Sequence, residues 1–140
     1  MVIRATAPNR IDLAGGTLDI WPLYAFLGGG YTVNVAINLG SEVVVETRRD
    51  HKFDLYSEDL DAGETADSLS ELKPGGPMDL VVRALQHYRP EIGLNIRTRN
   101  RAPKGTGIGS SSTLLIALSG ALYQVQGKEI DREHIIDTAA

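Results

Sequence analysis

Pro103-Lys104-Gly105-Thr106-Gly107-Ile108-Gly109-Ser110-Ser111-Ser112-Thr113 joins two segments of opposite character. Gly93 to Arg99 before it alternates apolar and polar residues, the period of a half-buried strand. From about Ser111 to Gln126 the chain is helix-forming and rich in Leu and Ala, and Gly127 suits its stop. Between them, three glycines at alternate positions let successive backbone N–H groups turn toward one point, which makes an anion nest. A helix starting there adds its unpaired N–H groups and the positive end of its dipole. The combination holds a phosphate without any net positive charge. Ser110, Ser111 and Ser112 offer hydroxyls to phosphate oxygens or to a Mg2+ bound to them, and Lys104 offers one point charge. The plainer alternative is a glycine-rich turn leading into a serine-capped helix, because Gly and Ser both favour turns and caps. Neither common nucleotide loop fits. No Lys follows the last glycine, as G-x-x-x-x-G-K-[ST] requires, and the third glycine comes too soon for G-x-G-x-x-G.

Outward from this loop, period-two stretches predict strands at Val2 to Ala7, with Pro8 interrupting or edging it, and at Arg10 to Leu13. Further strands are expected at Tyr31 to Leu39 and Ser41 to Arg48, with Gly40 as the turn between them, and at Lys52 to Tyr56. Leu18 to Leu27 reads as a short helical or irregular apolar segment, its aromatic residues Trp21, Tyr24 and Phe26 packing in the core or at its edge. Asp59 to Glu71 is acidic and polar and reads as an exposed loop. Pro77 to Tyr88 carries apolar residues at helical spacing and is closed by Pro90, while Asp131 to Ala140 begins a last helix with Asp131 as its N-cap. Strands, helix, strand, helix, helix is the order of an α+β fold.

The chain has 140 residues, enough for one domain with a real core. Ten of its fifteen glycines fall in four clusters, at 15–16, 28–30, 75–76 and 105–109, which marks loops rather than general flexibility. Fourteen Lys and Arg against eighteen Asp and Glu give a net charge of −4. That balance provides no general attraction for nucleic acid or an anionic membrane, so any bound phosphate needs a local site. With no Cys, thiol nucleophiles, disulfides and thiolate metal sites are excluded. The start lacks a secretory pattern, and Leu114 to Leu122 is too short to span a bilayer, so a cytoplasmic protein is expected. His51, His87 and His134 lack metal-ligand spacing and read as surface residues. No G-x-S-x-G accompanies the serines, which argues against a hydrolase nucleophile.

The glycine-serine loop resembles the phosphate loop of the GHMP kinases, whose pattern is P-x-x-x-G-L-G-S-S-A-A. Pro103, Gly107, Gly109, Ser110 and Ser111 match, Ile108 replaces Leu, and Ser112-Thr113 replace the alanine pair. A second motif lies near the start. Ala7-Pro8-Asn9-Arg10-Ile11-Asp12-Leu13-Ala14-Gly15-Gly16-Thr17-Leu18-Asp19 is similar to the family's first motif, written A-P-G-R-V-N-L-I-G-E-H-T-D in galactokinases. Arg10 offers a planar, permanently charged fork for a phosphate or carboxylate. Asp19 offers an acceptor for sugar hydroxyls, and the glycine pair lets a substrate approach the backbone. Gly16 and Thr17 stand where galactokinases have the Glu-His pair that contacts sugar. The A-G-G-x-x-D form looks closer to kinases of heptose phosphates and related sugars.

The resemblance implies an N-terminal domain like the second domain of ribosomal protein S5, in an ATP-dependent kinase of a sugar or sugar phosphate. ATP would lie on Pro103, Lys104, Gly105, Thr106, Gly107, Ile108, Gly109, Ser110, Ser111 and Ser112, with Ser111 as a Mg2+ ligand. Arg10, Gly16, Thr17 and Asp19 would face the acceptor. Family members with an aspartate base carry it downstream of the loop, after a Mg2+-binding Glu, so both are expected beyond Ala140. Residues 1–140 are therefore expected to be an incomplete ATP-binding domain without its C-terminal partner domain, inactive alone, with oligomeric state open and a dimer included. The alternatives are a non-catalytic sugar sensor of the same family and a kinase or decarboxylase of the mevalonate route.

Overall fold

Two long strands carry the framework: β1 (Val2–Ala14) and β2 (Val33–Thr47), paired antiparallel. The computed structural model describes residues 1–16, 18, 22–102 and 107–139. A short α1 (Leu23–Phe26) lies between those strands. β3 (Phe53–Ser57), β4 (Ala62–Ala66), a single 3-10 turn, α2 (Asp79–Tyr88), β5 (Leu94–Asn100), α3 (Ser110–Val125) and α4 (Arg132–Ala139) follow. The sheet order is β1-β2-β5-β3-β4. β5 runs antiparallel to β2 and parallel to β3, and the β4–α2 connection makes the crossover that a parallel neighbour requires.

Alternation then sorts the two faces. Ile3, Ala7, Val43, Val45, Phe53, Leu55, Leu94 and Ile96 point one way and are buried. Against them lie Val81, Val82 and Leu85 of α2 and Leu114, Ala117, Leu118, Ala121 and Leu122 of α3. The opposite face keeps Arg4 2.7 Å from Glu42, Arg97 3.5 Å from Asp54, and Arg97 stacked over the Tyr56 ring. Such exposed pairs add little stability but keep that face wet. The molecule is thus an α+β two-layer structure, as the order of segments predicts.

Four expectations need correction. Gly40 is not a turn: β2 passes straight through it, opposite Pro8. A Cβ there would lie 2.3 Å from the Ala7 carbonyl oxygen, so the glycine permits two backbones to approach across a register shift. Pro8 does not break β1 either, because β1 is an edge strand where a missing N–H is tolerated. Residues 59–71 are more than a loop. Ala62–Ala66 pairs with β3 as the far edge strand, and its polar residues suit that half-exposed position. Tyr24 and Phe26 are exposed rather than core residues, Phe26 at 82%; Trp21 lies outside the described residues.

Helix ends follow the sequence in part. Gly127 ends α3 with paired bonds, Gly127 N–H to Gln124 O and Lys128 N–H to Tyr123 O, a Schellman closure. Asp131 caps α4 by accepting from His134 N–H at 3.1 Å. Serine capping of α3 is not observed. Gly109 is the N-cap, in the left-handed region, and no side chain caps the helix. His87 and His134 are exposed as expected, yet their rings stack, with centroids 5.9 Å apart.

Candidate functional site

The C-terminal end of β5 delivers the chain to the glycine-serine loop, and α3 starts there. Gly107 and Gly109 both have φ near +70°, which turns the backbone sharply before Ser110 enters the helix. A Cβ at either glycine would meet no atom of the described residues within 4 Å, and both glycines line an open space. That space is a cleft of about 560 Å³. Gly107 to Ser112 line it, together with apolar Leu60, Met78, Leu80 and Val81 and polar Ser57, Asp59, Thr98 and Asn100.

Charge in the cleft is sparse. Among the described residues that line it, Asp59 is the only ionisable one. Its carboxylate already accepts from Asn100 N–H at 3.0 Å and Ser57 Oγ at 3.1 Å. An anion at the loop would therefore rest on backbone N–H groups and the α3 dipole. Among the described residues, no three His, Asp or Glu converge as a metal site. Ser111 is exposed and lines the cleft, so it suits a divalent ion that arrives already bound to phosphates.

Asp79 fixes the helix that forms the apolar wall. It accepts from Gly75 N–H at 2.7 Å and pairs with Arg83 Nε at 2.9 Å. The Arg83 guanidinium, and then the Gly75 N–H, hold its carboxyl below the ordinary carboxylate range. A lowered folded-state pKa stabilises the fold above the unfolded value near ~3.9 and ceases to do so as pH falls through the folded value. Asp79→Asn is accordingly expected to lower the melting temperature at pH 7, by an amount that shrinks as the pH falls below the ordinary carboxylate range, read by thermal circular dichroism.

The two sequence motifs meet. Asn9 of the first motif donates from Nδ2 to Ile108 O at 3.2 Å and to Ser110 Oγ at 3.1 Å, across 99 and 101 residues. Ser41 Oγ donates to Asn100 Oδ1 and reaches Ser110 O at 3.4 Å. These residues went unremarked in the sequence, although Asn9 carried a signal. It continues the inward series Ile3, Ala7, Asn9 of β1, and a polar side chain on a core face must find a partner. Ser41, Asp59 and Asn100 gave none, because three separate strands and loops bring them together.

Arg10 sits next to Asn9 on β1, half-exposed, its Nε 3.4 Å from Asp12 Oδ1. Gly15 and Gly16 are packed rather than open: a Cβ would lie 2.2 Å from Tyr31 O at Gly15 and 2.8 Å from the Asp12 side chain at Gly16. Their absent side chains make room for the Tyr31 backbone and the Asp12 side chain. Thr17, Asp19, Pro103, Lys104, Gly105 and Thr106 lie outside the described residues.

Residues 79–140, from α2 onward, match the GHMP kinases N terminal domain. A D-glycero-D-manno-heptose 1-phosphate kinase from Bacteroides thetaiotaomicron superposes with a TM-score of 0.86 at 28% identity, covering 99% of this chain and 46% of that one. The chain is thus similar to the GHMP kinases. A galactokinase of Staphylococcus carnosus is 28% identical over 96% of the chain and 35% of its own length. The D-glycero-alpha-D-manno-heptose 7-phosphate kinase of Campylobacter jejuni is 30% identical over 87% of the chain and 37% of its own length. The chain spans about a third of those curated relatives and about half of the solved one. Among its described residues no helix is long and apolar enough to cross a membrane.

Proposed function

We propose that the protein binds MgATP in this cleft and presents its γ-phosphoryl group to a hydroxyl of a sugar or sugar phosphate. The observation that carries the reading is the loop 107–112, which lines a cleft together with the apolar side chains of Leu60, Met78, Leu80 and Val81. A triphosphate suits the N–H-rich end at the start of α3, and a purine ring suits the wall of Met78, Leu80 and Val81. Mg2+, supplied with the nucleotide, neutralises charge on the phosphates, and Ser111 can complete its coordination. Lys104, Pro103, Gly105 and Thr106 extend the same loop in sequence and are proposed to enclose the phosphates.

Arg10, Gly16, Thr17 and Asp19 are proposed for the acceptor side. Support comes from the Asn9 contacts, which bring the first motif against the loop, and from relatives whose names specify galactose and heptose phosphates as substrates. Phosphoryl transfer of this kind depends on alignment and charge stabilisation rather than on a covalent enzyme intermediate. The chain's contribution is the donor set beneath the phosphates and the guanidinium of Arg10 toward the acceptor. A soluble, cytoplasmic location and either a monomer or a dimer are compatible with this reading.

Removing a proton from the acceptor hydroxyl calls for a further group. Asp59, the one ionisable group among the described residues lining the cleft, is committed to Asn100 and Ser57. The 140 residues are therefore proposed to bind MgATP without transferring phosphate. The test is calorimetric binding of MgATP together with an assay for ADP release, using galactose and a heptose phosphate as acceptors. Binding without turnover is expected. Absence of binding would overturn the reading, and turnover would overturn the claim that this chain lacks its base.

A further inference from the structure

Asn9 is fully buried beneath the loop and is not part of the cleft wall. Its amide orientation is unambiguous, because Ile108 O can only accept and so must face the NH2 group. We infer that Asn9 is a positioning residue that aims the donors of the phosphate loop, a role that rests on the nucleotide reading above.

In a trans peptide the C=O and the following N–H point in opposite directions. Holding Ile108 O toward buried Asn9 therefore turns the Gly109 N–H away from the core, toward the cleft that Gly109 lines. The second contact acts on a hydroxyl. Asn9 Nδ2 donates to Ser110 Oγ, which fills an acceptor position on that oxygen and leaves its O–H to donate elsewhere. Both groups are thereby kept as donors on residues that line the cleft, which suits an anion there.

Among the described residues the amide makes no other hydrogen bond to offset its burial. Asn9 Oδ1 is buried and has no partner among the described residues. An unsatisfied buried carbonyl is destabilising, so Asn9 is a poor choice for stability alone. A small or apolar residue would serve a purely structural role at lower cost.

The test is the affinity of Asn9→Ala, beside the wild-type chain, for ATP, ADP, AMP and adenosine, each with Mg2+. Wild type binding ATP no better than adenosine would overturn both this inference and the nucleotide reading. With the wild-type preference in place, Asn9→Ala is expected to weaken ATP at least tenfold. The loss should shrink as phosphates are removed and fall below twofold for adenosine. ATP affinity within twofold of wild type would overturn the inference alone, and so would an equal loss for all four ligands. Asn9→Ser, which keeps a short donor, provides a second folded variant and is expected to fall between the two. Failure of both variants to fold would make Asn9 a core residue and also overturn the inference.

Discussion

Gly107→Val is expected to abolish MgATP binding while the chain stays folded. Gly107 adopts φ +69°, lines the cleft, and a Cβ built on it would meet no atom of the described residues within 4 Å. Valine there has two consequences. A β-branched residue at positive φ is strained by roughly 1–3 kcal/mol, which a domain stable by about 5–15 kcal/mol survives. Its two methyl groups also occupy the space in front of N–H donors that a phosphate would need. We expect ATP affinity to fall at least 100-fold, with an unchanged far-ultraviolet spectrum and a modestly lower melting temperature. Gly107→Ala, which adds one carbon, should lose less. Normal binding by Gly107→Val would mean that the loop is only a turn.

Gly40→Val acts on the fold instead, and its expected effect on stability is the larger. The atoms that a Cβ would strike are backbone: Ala7 O at 2.3 Å, Ala7 C and Pro8 Cα at 3.1 Å. A flexible side chain can move aside, whereas these atoms are held by the β1–β2 ladder. Relief requires the strands to separate where Gly40 O also accepts from Arg101 N–H at 3.0 Å. Ser41, the next residue, carries the contacts to Asn100 and Ser110. A loss of ~4 kcal/mol or more is expected, in the range that diagnoses a specific structural conflict. Urea denaturation would measure it, and a loss under about 1 kcal/mol would contradict the close-approach explanation of this glycine.

The sequence was legible where one local rule decided the outcome. Alternation in Ser41 to Arg48 and Gly93 to Arg99, and the helical spacing of Pro77 to Tyr88, each marked an element that formed. Gly40 misled because a glycine between two alternating runs has the same appearance whether it turns the chain or passes beneath another strand. β4 was missed because an edge strand needs little apolar surface: Ala62-Gly63-Glu64-Thr65-Ala66 pairs with β3 and packs Ala66 against the core. Tyr24 and Phe26 misled because hydrophobic composition does not say whether a surface is covered.

At the site, the loop itself was readable because glycines, serines and a following helix are contiguous. Its capping was not, since Ser110 turned out to be held by Asn9 rather than closing the helix. That contact spans 101 residues, and no local pattern encodes it. The same holds for Ser41, Asn100 and Asp59, which meet only because β2 and β5 are neighbours and the β3–β4 turn lies beside them.

The central claim is that an N–H-rich loop at the start of α3 binds phosphate in a chain of net charge −4. The most direct measurement is calorimetric titration of the 140-residue chain with MgATP and, in parallel, with adenosine. One site per chain is expected, with ATP bound at least tenfold more tightly than adenosine. No binding of ATP, or equal binding of the two, would contradict the account.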